Sequence, residues 1–272
     1  MDTRSLLSER SFDIGGLSRS NTTIQSSTVE IHFDPRSQWW LTNGYPPELV
    51  PSIGKDVFVE VDTHEVTKRG SRRVILKDYH FLYSDYSQLV VEIIYDQADP
   101  HGSVVCKQTY KPAAPVRMDL LMSAPSAFGF KIAEAAHLCL GKHLHKELLG
   151  HVTSPFRTAI VPAIGNKVFG VTILSIGGSS TSQIAEVKPG DILGIRKGKF
   201  ANAKLVGKAL ELGFGEIPAM CVVLEYDEMK KKFKVAMQDS HGAVKKESFR
   251  VSDMKSGRMR VFRVVAREYV GW

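Results

Sequence analysis

Residues 187–200 read VKPGDILGIRKGKF. Pro189, Gly190 and Asp191 are turn residues, and they run straight into the apolar stretch Ile192 to Ile195. A short apolar run bounded by a turn predicts a buried β-strand. VFGVTILSI (168–176) precedes it and predicts a second such strand. After it, AMCVVLEYDEMKKKFKVAMQD (219–239) sets two apolar runs around a charged turn, Asp227 to Lys232, which predicts a hairpin. FRVSDMKSGRMRVFRVVAREYVGW (249–272) adds one or two closing strands. KFANAKLVGKALELGF (199–214) is helical by propensity, although it sits where a loop between strands belongs.

Upstream, PSAFGFKIAEAAHLCLGKHLHKELLG (125–150) predicts the main helix. Phe128, Ile132, Ala135, Ala136 and Leu140 recur at three- and four-residue steps. Ser123 or Ser126 is the expected cap, Pro125 suits the first turn, Gly141 either ends the first helix or weakens it, and Gly150 reads as a stop. Residues 57–110 alternate apolar and polar positions in four runs, which predicts an antiparallel meander. Before it, Trp39 and Trp40 are adjacent. On an extended chain they face opposite ways, so one anchors the core and the other covers a surface or a ligand groove. Residues 1–30 are Ser/Thr-rich with few large apolar side chains and read as a mobile arm. The expected division is that arm and one domain over 31–272, made of a β-meander extension (31–122) and a core (123–272).

Composition narrows the class. The chain has 272 residues, 43% hydrophobic and 24% charged, which is ordinary for a globular protein. No window approaches the length of apolar sequence that spans a bilayer. The N-terminus lacks the pattern of a secretory signal. Three cysteines, Cys106, Cys139 and Cys221, are too few and scattered for a disulfide framework or a zinc site, which fits a reducing cytoplasm. The net charge is +7, unevenly placed: residues 188–267 hold 18 Lys and Arg against 9 Asp and Glu. Such a basic third suits an acidic protein segment or a membrane surface. No aromatic RNA-binding pattern accompanies it, so nucleic acid is not the expected partner. No phosphate loop and no helical His-x-x-x-His pair is present, so neither cofactor nor metal is expected.

The Pro-Gly-Asp turn feeding a strand, downstream of a helix, resembles the start of the barrel in NlpC-type cysteine peptidases. The resemblance implies an α+β, papain-like fold with a helix packed on an antiparallel barrel or sheet. It also sets a test. Such an enzyme needs a cysteine at the helix start and a histidine at the head of the next strand. The helix-start run here is Ser126-Ala127-Phe128-Gly129-Phe130, which puts Ala127 at the nucleophile's place. The next strand begins Pro218-Ala219-Met220-Cys221, so Ala219 stands where the histidine would be. No catalytic residue is expected. The rival readings are an active hydrolase using Cys106, Cys139 or Cys221, and an anionic-lipid-binding module.

A second resemblance rests on several segments in order. Trp39-Trp40-Leu41, Gly54-Lys55-Asp56, Thr67-Lys68-Arg69-Gly70, Lys77-Asp78-Tyr79, Asp85-Tyr86-Ser87-Gln88-Leu89, Pro189-Gly190-Asp191-Ile192 and Lys199-Phe200 resemble the cysteine-proteinase-like domain that closes the fungal myosin tail region-interacting proteins. That family implies a non-enzymatic role in an endocytic adaptor at cortical actin patches in the cytoplasm. Type I myosins and WASP-family activators are the implied partners. The SH3 domain and Pro-rich segments that carry much of that family's binding have no counterpart in these 272 residues. The expected binding element is the old substrate groove between the 125–150 helix and the barrel. It would hold an extended or acidic peptide, with Phe128, Asp191, Arg196 and Lys199 as lining residues.

Overall fold

The computed structural model describes residues 30–68, 72–178, 180–201 and 209–272. The expected arm therefore lies almost wholly outside the described residues, as do residues 202–208 of the ambiguous 199–214 segment, whose described flanks at 199–201 and 209–212 are strand rather than helix. Residues Ile31–Trp272 form one compact unit.

Four strands form the first sheet: β1 (Val57–Lys68), β2 (Arg72–Tyr83), β3 (Gln88–Asp96) and β4 (Val105–Lys111), paired antiparallel in sequence order. A one-turn helix, α1 (Pro100–Ser103), interrupts the last connection. The alternation legible in the sequence orients this sheet. On β2, Ile75, Lys77, Tyr79 and Phe81 are buried at every second position.

Both tryptophans are buried against this sheet, which corrects the expectation that one would face outward. The chain at Gln38–Gly44 is a tight turn, with Thr42 N–H donating to Gln38 O at 3.1 Å and Gly44 N–H to Trp39 O at 2.7 Å. A turn does not alternate its side chains as a strand does. Trp39 packs edge-on to Tyr79 at 5.3 Å, Trp40 to Tyr95 at 5.0 Å, and Phe33 lies about 6 Å from both. Lys77 fastens the turn from below, donating from Nζ to Trp40 O at 2.7 Å and Asn43 Oδ1 at 2.8 Å. Burial holds the Lys77 pKa below its ordinary value.

The expected helix starts earlier than its apolar spacing suggested and ends at the first of the two expected glycines. α2 (Met118–Ala124) runs without a break through a π-turn, Pro125–Gly129, into α3 (Phe130–Cys139). Neither Ser123 nor Ser126 caps it, and Pro125 sits mid-helix with φ −57°. Proline has no N–H to give to the carbonyl four residues back, Leu121 O. The helix widens by one residue there: Phe130 N–H reaches Pro125 O, five positions earlier. Leu140 is extended and Gly141 has φ 76°, so the helix ends at that glycine. His143 and His145, expected on the helix, lie in the non-helical link that follows. Gly150 is inside a short helix, α4 (Leu148–Thr153), rather than ending one.

The second sheet holds eight strands: β5 (Val171–Gly177), β6 (Ser180–Gln183), β7 (Ile192–Ala201), β8 (Ala209–Leu212), β9 (Ala219–Asp227), β10 (Lys232–Gln238), β11 (Val244–Arg250) and β12 (Met254–Arg263). Their order is β11-β10-β9-β7-β12-β5-β6, with β8 added to the outer half of β7. This path is open, so of the expected barrel or sheet the described residues form a sheet. The chain is mostly antiparallel sheet with few helices. One face of the sheet buries Leu193, Ile195, Phe200, Val223, Phe233, Phe249 and Val261. The other buries Ile192, Val222, Leu224, Ala236 and Phe262 beneath Ile132, Ala136 and Cys139 of α3.

The two sheets are joined by residues far apart in sequence. Gln88 Nε2 donates to Val270 O at 2.6 Å, and Trp272 Nε1 donates to Gln88 Oε1 at 2.8 Å. Arg267 pairs with Glu60. Tyr86 and Tyr269 meet at 6.4 Å in the shared core.

Between β10 and β11, Asp239 organises the turn. Its Oδ1 accepts from the His241 and Ala243 amides at 2.9 and 3.0 Å, and its Oδ2 from Lys245 Nζ at 2.6 Å. Lys245 and these amides lower its pKa to about 2. A depressed carboxylate stabilises the fold above its unfolded value of 3.8 and loses that contribution as pH falls towards 2. A carboxyl chemical-shift titration of Asp239 should therefore have its midpoint near 2. The His241 and Ala243 amides should lose protection over that same interval. A midpoint at the free-aspartate value would refute the arrangement.

Candidate functional site: a cationic cleft beside a sealed helix–sheet contact

The Pro189-Gly190-Asp191 turn is a structural joint. Gly190 has φ 88°, and a Cβ there would lie 1.8 Å from Gly129 O in the π-turn. A Cβ on Gly129 would in turn come within 3.0 Å of Pro189 O. Backbone meets backbone at this point, so the helix lies directly on the start of β7. Asp191, expected to line the groove, is instead 3% exposed. Its Oδ1 accepts from Arg263 Nε at 3.0 Å and its Oδ2 from Arg263 Nη2 at 2.8 Å. The Lys188 amide donates to Oδ2 at 2.8 Å. Burial raises the Asp191 pKa, against the pull of Arg263. Arg263, 2% exposed, also donates from Nη2 to Glu186 O at 2.6 Å and from Nη1 to Leu121 O at 3.2 Å. That last carbonyl is the one Pro125 leaves without a helical partner.

The other expected lining residues are not gathered in one groove. Phe128 packs edge-on to Phe156 at 5.8 Å beside the α3 core. Arg196 and Lys199 lie further along β7. Ala127 is exposed on the π-turn, next to the joint at the head of β7. Ala219 pairs with Ile195, at the other end of that strand's apolar run, and lines a separate cleft of about 220 Å³ with Leu148, Phe169 and Met220. Asp191 to Ile195 spans about 13 Å of strand. The two alanines therefore do not face each other across a shared groove. The position of Ala127 also lacks a helix N-terminus, because α2 precedes it without a break. The free amides and dipole that lower a thiol's pKa at such a terminus are absent there.

Burial favours the neutral thiol at Cys106 and Cys221. Cys221 is fully buried, donates to Leu193 O at 3.4 Å, and has its pKa pushed up by burial. Cys139 is buried at the C-terminal end of α3. Cys106 is half-buried on β4, and burial pushes its pKa up to about 11.

An open cleft of about 420 Å³ lies where α3 no longer covers the sheet. Ile164, Val168, Gly194 and Phe262 are its apolar wall, and Lys55, Lys167, Arg196, Arg258 and Arg260 supply the cations. Alternation along the strands explains the placement. Ile192, Gly194 and Arg196 share one face of β7, and Arg258, Arg260 and Phe262 share one face of β12. Met220 and Phe262 close over Gly194, where a Cβ would lie 3.0 Å from Met220 Sδ. A second cleft, about 550 Å³, continues past Arg196 and Arg258 to Lys197, Lys199 and Phe214. Sequence reading found Arg196 and Lys199 here. It missed Arg258 and Arg260, whose only sequence signal is the GRMR run at two-residue spacing.

Among known proteins, residues 106–272 match the family described as the AIM3/BBC1 cysteine proteinase-fold domain. The match covers more than half of the chain, and the chain belongs to that family. The resemblance drawn from the sequence therefore holds. A curated relative is the SH3 domain-containing protein C23A1.17 of Schizosaccharomyces pombe, 24% identical over 241 residues. The alignment spans 86% of this chain and 15% of that protein, so the relative is far longer than the region shared. No solved structure matches the chain.

Proposed function

We propose that this is a non-catalytic protein-interaction domain on a cysteine-proteinase scaffold, belonging to an adaptor that regulates actin assembly at cortical patches during clathrin-mediated endocytosis. Family membership and an SH3-containing relative support the adaptor part. The proposed partners are proteins of that machinery, type I myosin and WASP-family activators, with peripheral contact to the membrane. The single observation that carries the non-catalytic part is the pair of alanines at the two catalytic places. At the nucleophile's place stands Ala127, inside a helix that runs unbroken from Met118 to Cys139, and at the histidine's place stands Ala219.

Thiol labelling tests the enzymatic alternative. In the native protein at neutral pH, Cys106 should react with iodoacetamide more slowly than free cysteine, because its pKa is about 11. Cys139 and Cys221 should react only on unfolding. A cysteine that reacts faster than free cysteine, and whose serine variant abolishes amide hydrolysis, would defeat the proposal. For the adaptor part, the domain fused to a fluorescent protein should concentrate at cortical actin patches in a fungal cell. Uniform cytoplasmic signal would count against it.

A further inference from the structure

Arg196 of β7 and Arg258 of β12 are directly opposed in the antiparallel register, and Arg260 stands two positions along, opposite Gly194. Like charges in directly opposed positions destabilise a sheet. All three are exposed, and none forms an ion pair among the described residues. Lys55 at the rim has no such pair either. Lys167 is partly neutralised by Asp56 at 3.2 Å, and Lys199 by Glu211 at 2.8 Å.

The backbone also departs from regular pairing here. The β7–β12 register shifts on both sides of Ser256. Lys197 has φ 50°, an uncommon conformation for a residue with a long side chain. Gly257 is required opposite it, because a Cβ there would meet Lys197 O at 2.5 Å. Bulges of this kind re-aim side chains at the edges of functional surfaces. The result is two connected concavities, both walled partly by apolar groups and sharing a central pair of arginines.

We infer that this double cleft is the docking site for an extended acidic peptide, in which carboxylates neutralise Arg196, Arg258 and Arg260 and one large apolar side chain packs against the part-exposed Val168 and Pro218 of the first cleft. The inference rests on the interaction-domain reading and names the surface and the chemistry that serve it. Paired guanidinium groups suit bidentate capture of carboxylates. The concave apolar wall favours a peptide side chain over the flat surface of a bilayer. Relief of the Arg196–Arg258 repulsion would make binding strongly electrostatic, and therefore weaker as salt is added.

The test uses the full 272-residue chain and a fluorescein-labelled glutamate peptide with one central leucine, read by anisotropy. Saturable binding that weakens with salt is expected, together with weaker binding of an all-glutamate peptide and none of a lysine peptide. Arg196→Glu combined with Arg258→Glu should weaken binding by at least about tenfold. Lys246→Glu, on β11 three strands from β7, should change it by less than about twofold. Arg258→Gln should melt no lower than the parent, since it removes a repulsion. The inference is overturned if the leucine peptide does not bind, or if the double reversal binds as well as the parent. Capture by phosphatidylserine vesicles without peptide binding would overturn it in favour of a lipid surface. A lower melting temperature for Arg258→Gln would overturn it by making the arginines structural. None of these outcomes touches the non-catalytic reading, which stands or falls on thiol reactivity and hydrolysis.

Discussion

Asp191→Ala is expected to destabilise the domain by about 3–5 kcal/mol, the range for breaking a buried ion pair by removing one partner. The cost arises at Arg263 rather than at Asp191. The guanidinium would remain 2% exposed, holding the Leu121 and Glu186 carbonyls but facing no anion. Urea unfolding followed by tryptophan fluorescence measures the loss, because Trp39 and Trp40 are buried in the same compact unit. Asp191→Leu combined with Arg263→Met should recover part of it, since a hydrophobic replacement removes the stranded charge. Recovery should stay incomplete, because Leu121 O and Glu186 O lose their donor. A loss below about 1 kcal/mol for Asp191→Ala would mean that water reaches the pair and that the joint is not sealed.

Gly190→Ala should cost about 3 kcal/mol or more, by a different route. Its φ of 88° disfavours any L side chain, and the new Cβ would be placed 1.8 Å from Gly129 O. Neither backbone can retreat without lifting α3 from the sheet. Gly129→Ala is the informative contrast. Its backbone is helical and its nearest neighbour, Pro189 O, is 3.0 Å away. Alanine also gains about 1 kcal/mol of helix propensity over glycine. The Gly129 variant should therefore melt well above the Gly190 variant. Equal melting temperatures would show that the close approach does not limit stability.

Local pattern carried much of the sheet. The β9–β10 hairpin was legible because two apolar runs flank a charged turn. The meander was legible because its side chains alternate. The helix start was misread because Pro125 resembles a first-turn proline. What makes it tolerable inside the helix is Arg263, 142 residues from Leu121, and no local window contains that partner. Asp191 was misplaced for the same reason, its partner being 72 residues away. Trp40 turned inward because Gln38–Gly44 is a turn, which two adjacent aromatics cannot announce. The cationic cleft was half visible. Arg196 and Lys199 lie within the 187–200 stretch, but the opposition of Arg196 and Arg258 depends on a bulged register between distant strands.

The stitching of Gln88 to residues 270 and 272 bears on how the protein is made. Gln88 waits for a partner 182 residues downstream. At ribosomal rates of about 5–20 residues per second, that interval lasts about 10–40 s. Over that time the meander must persist with Leu82 and Tyr86 uncovered, since the Tyr269 and Val270 that share their core have not yet been synthesised. Such a nascent chain is a natural client for a chaperone, and aggregation during synthesis is the hazard this topology carries.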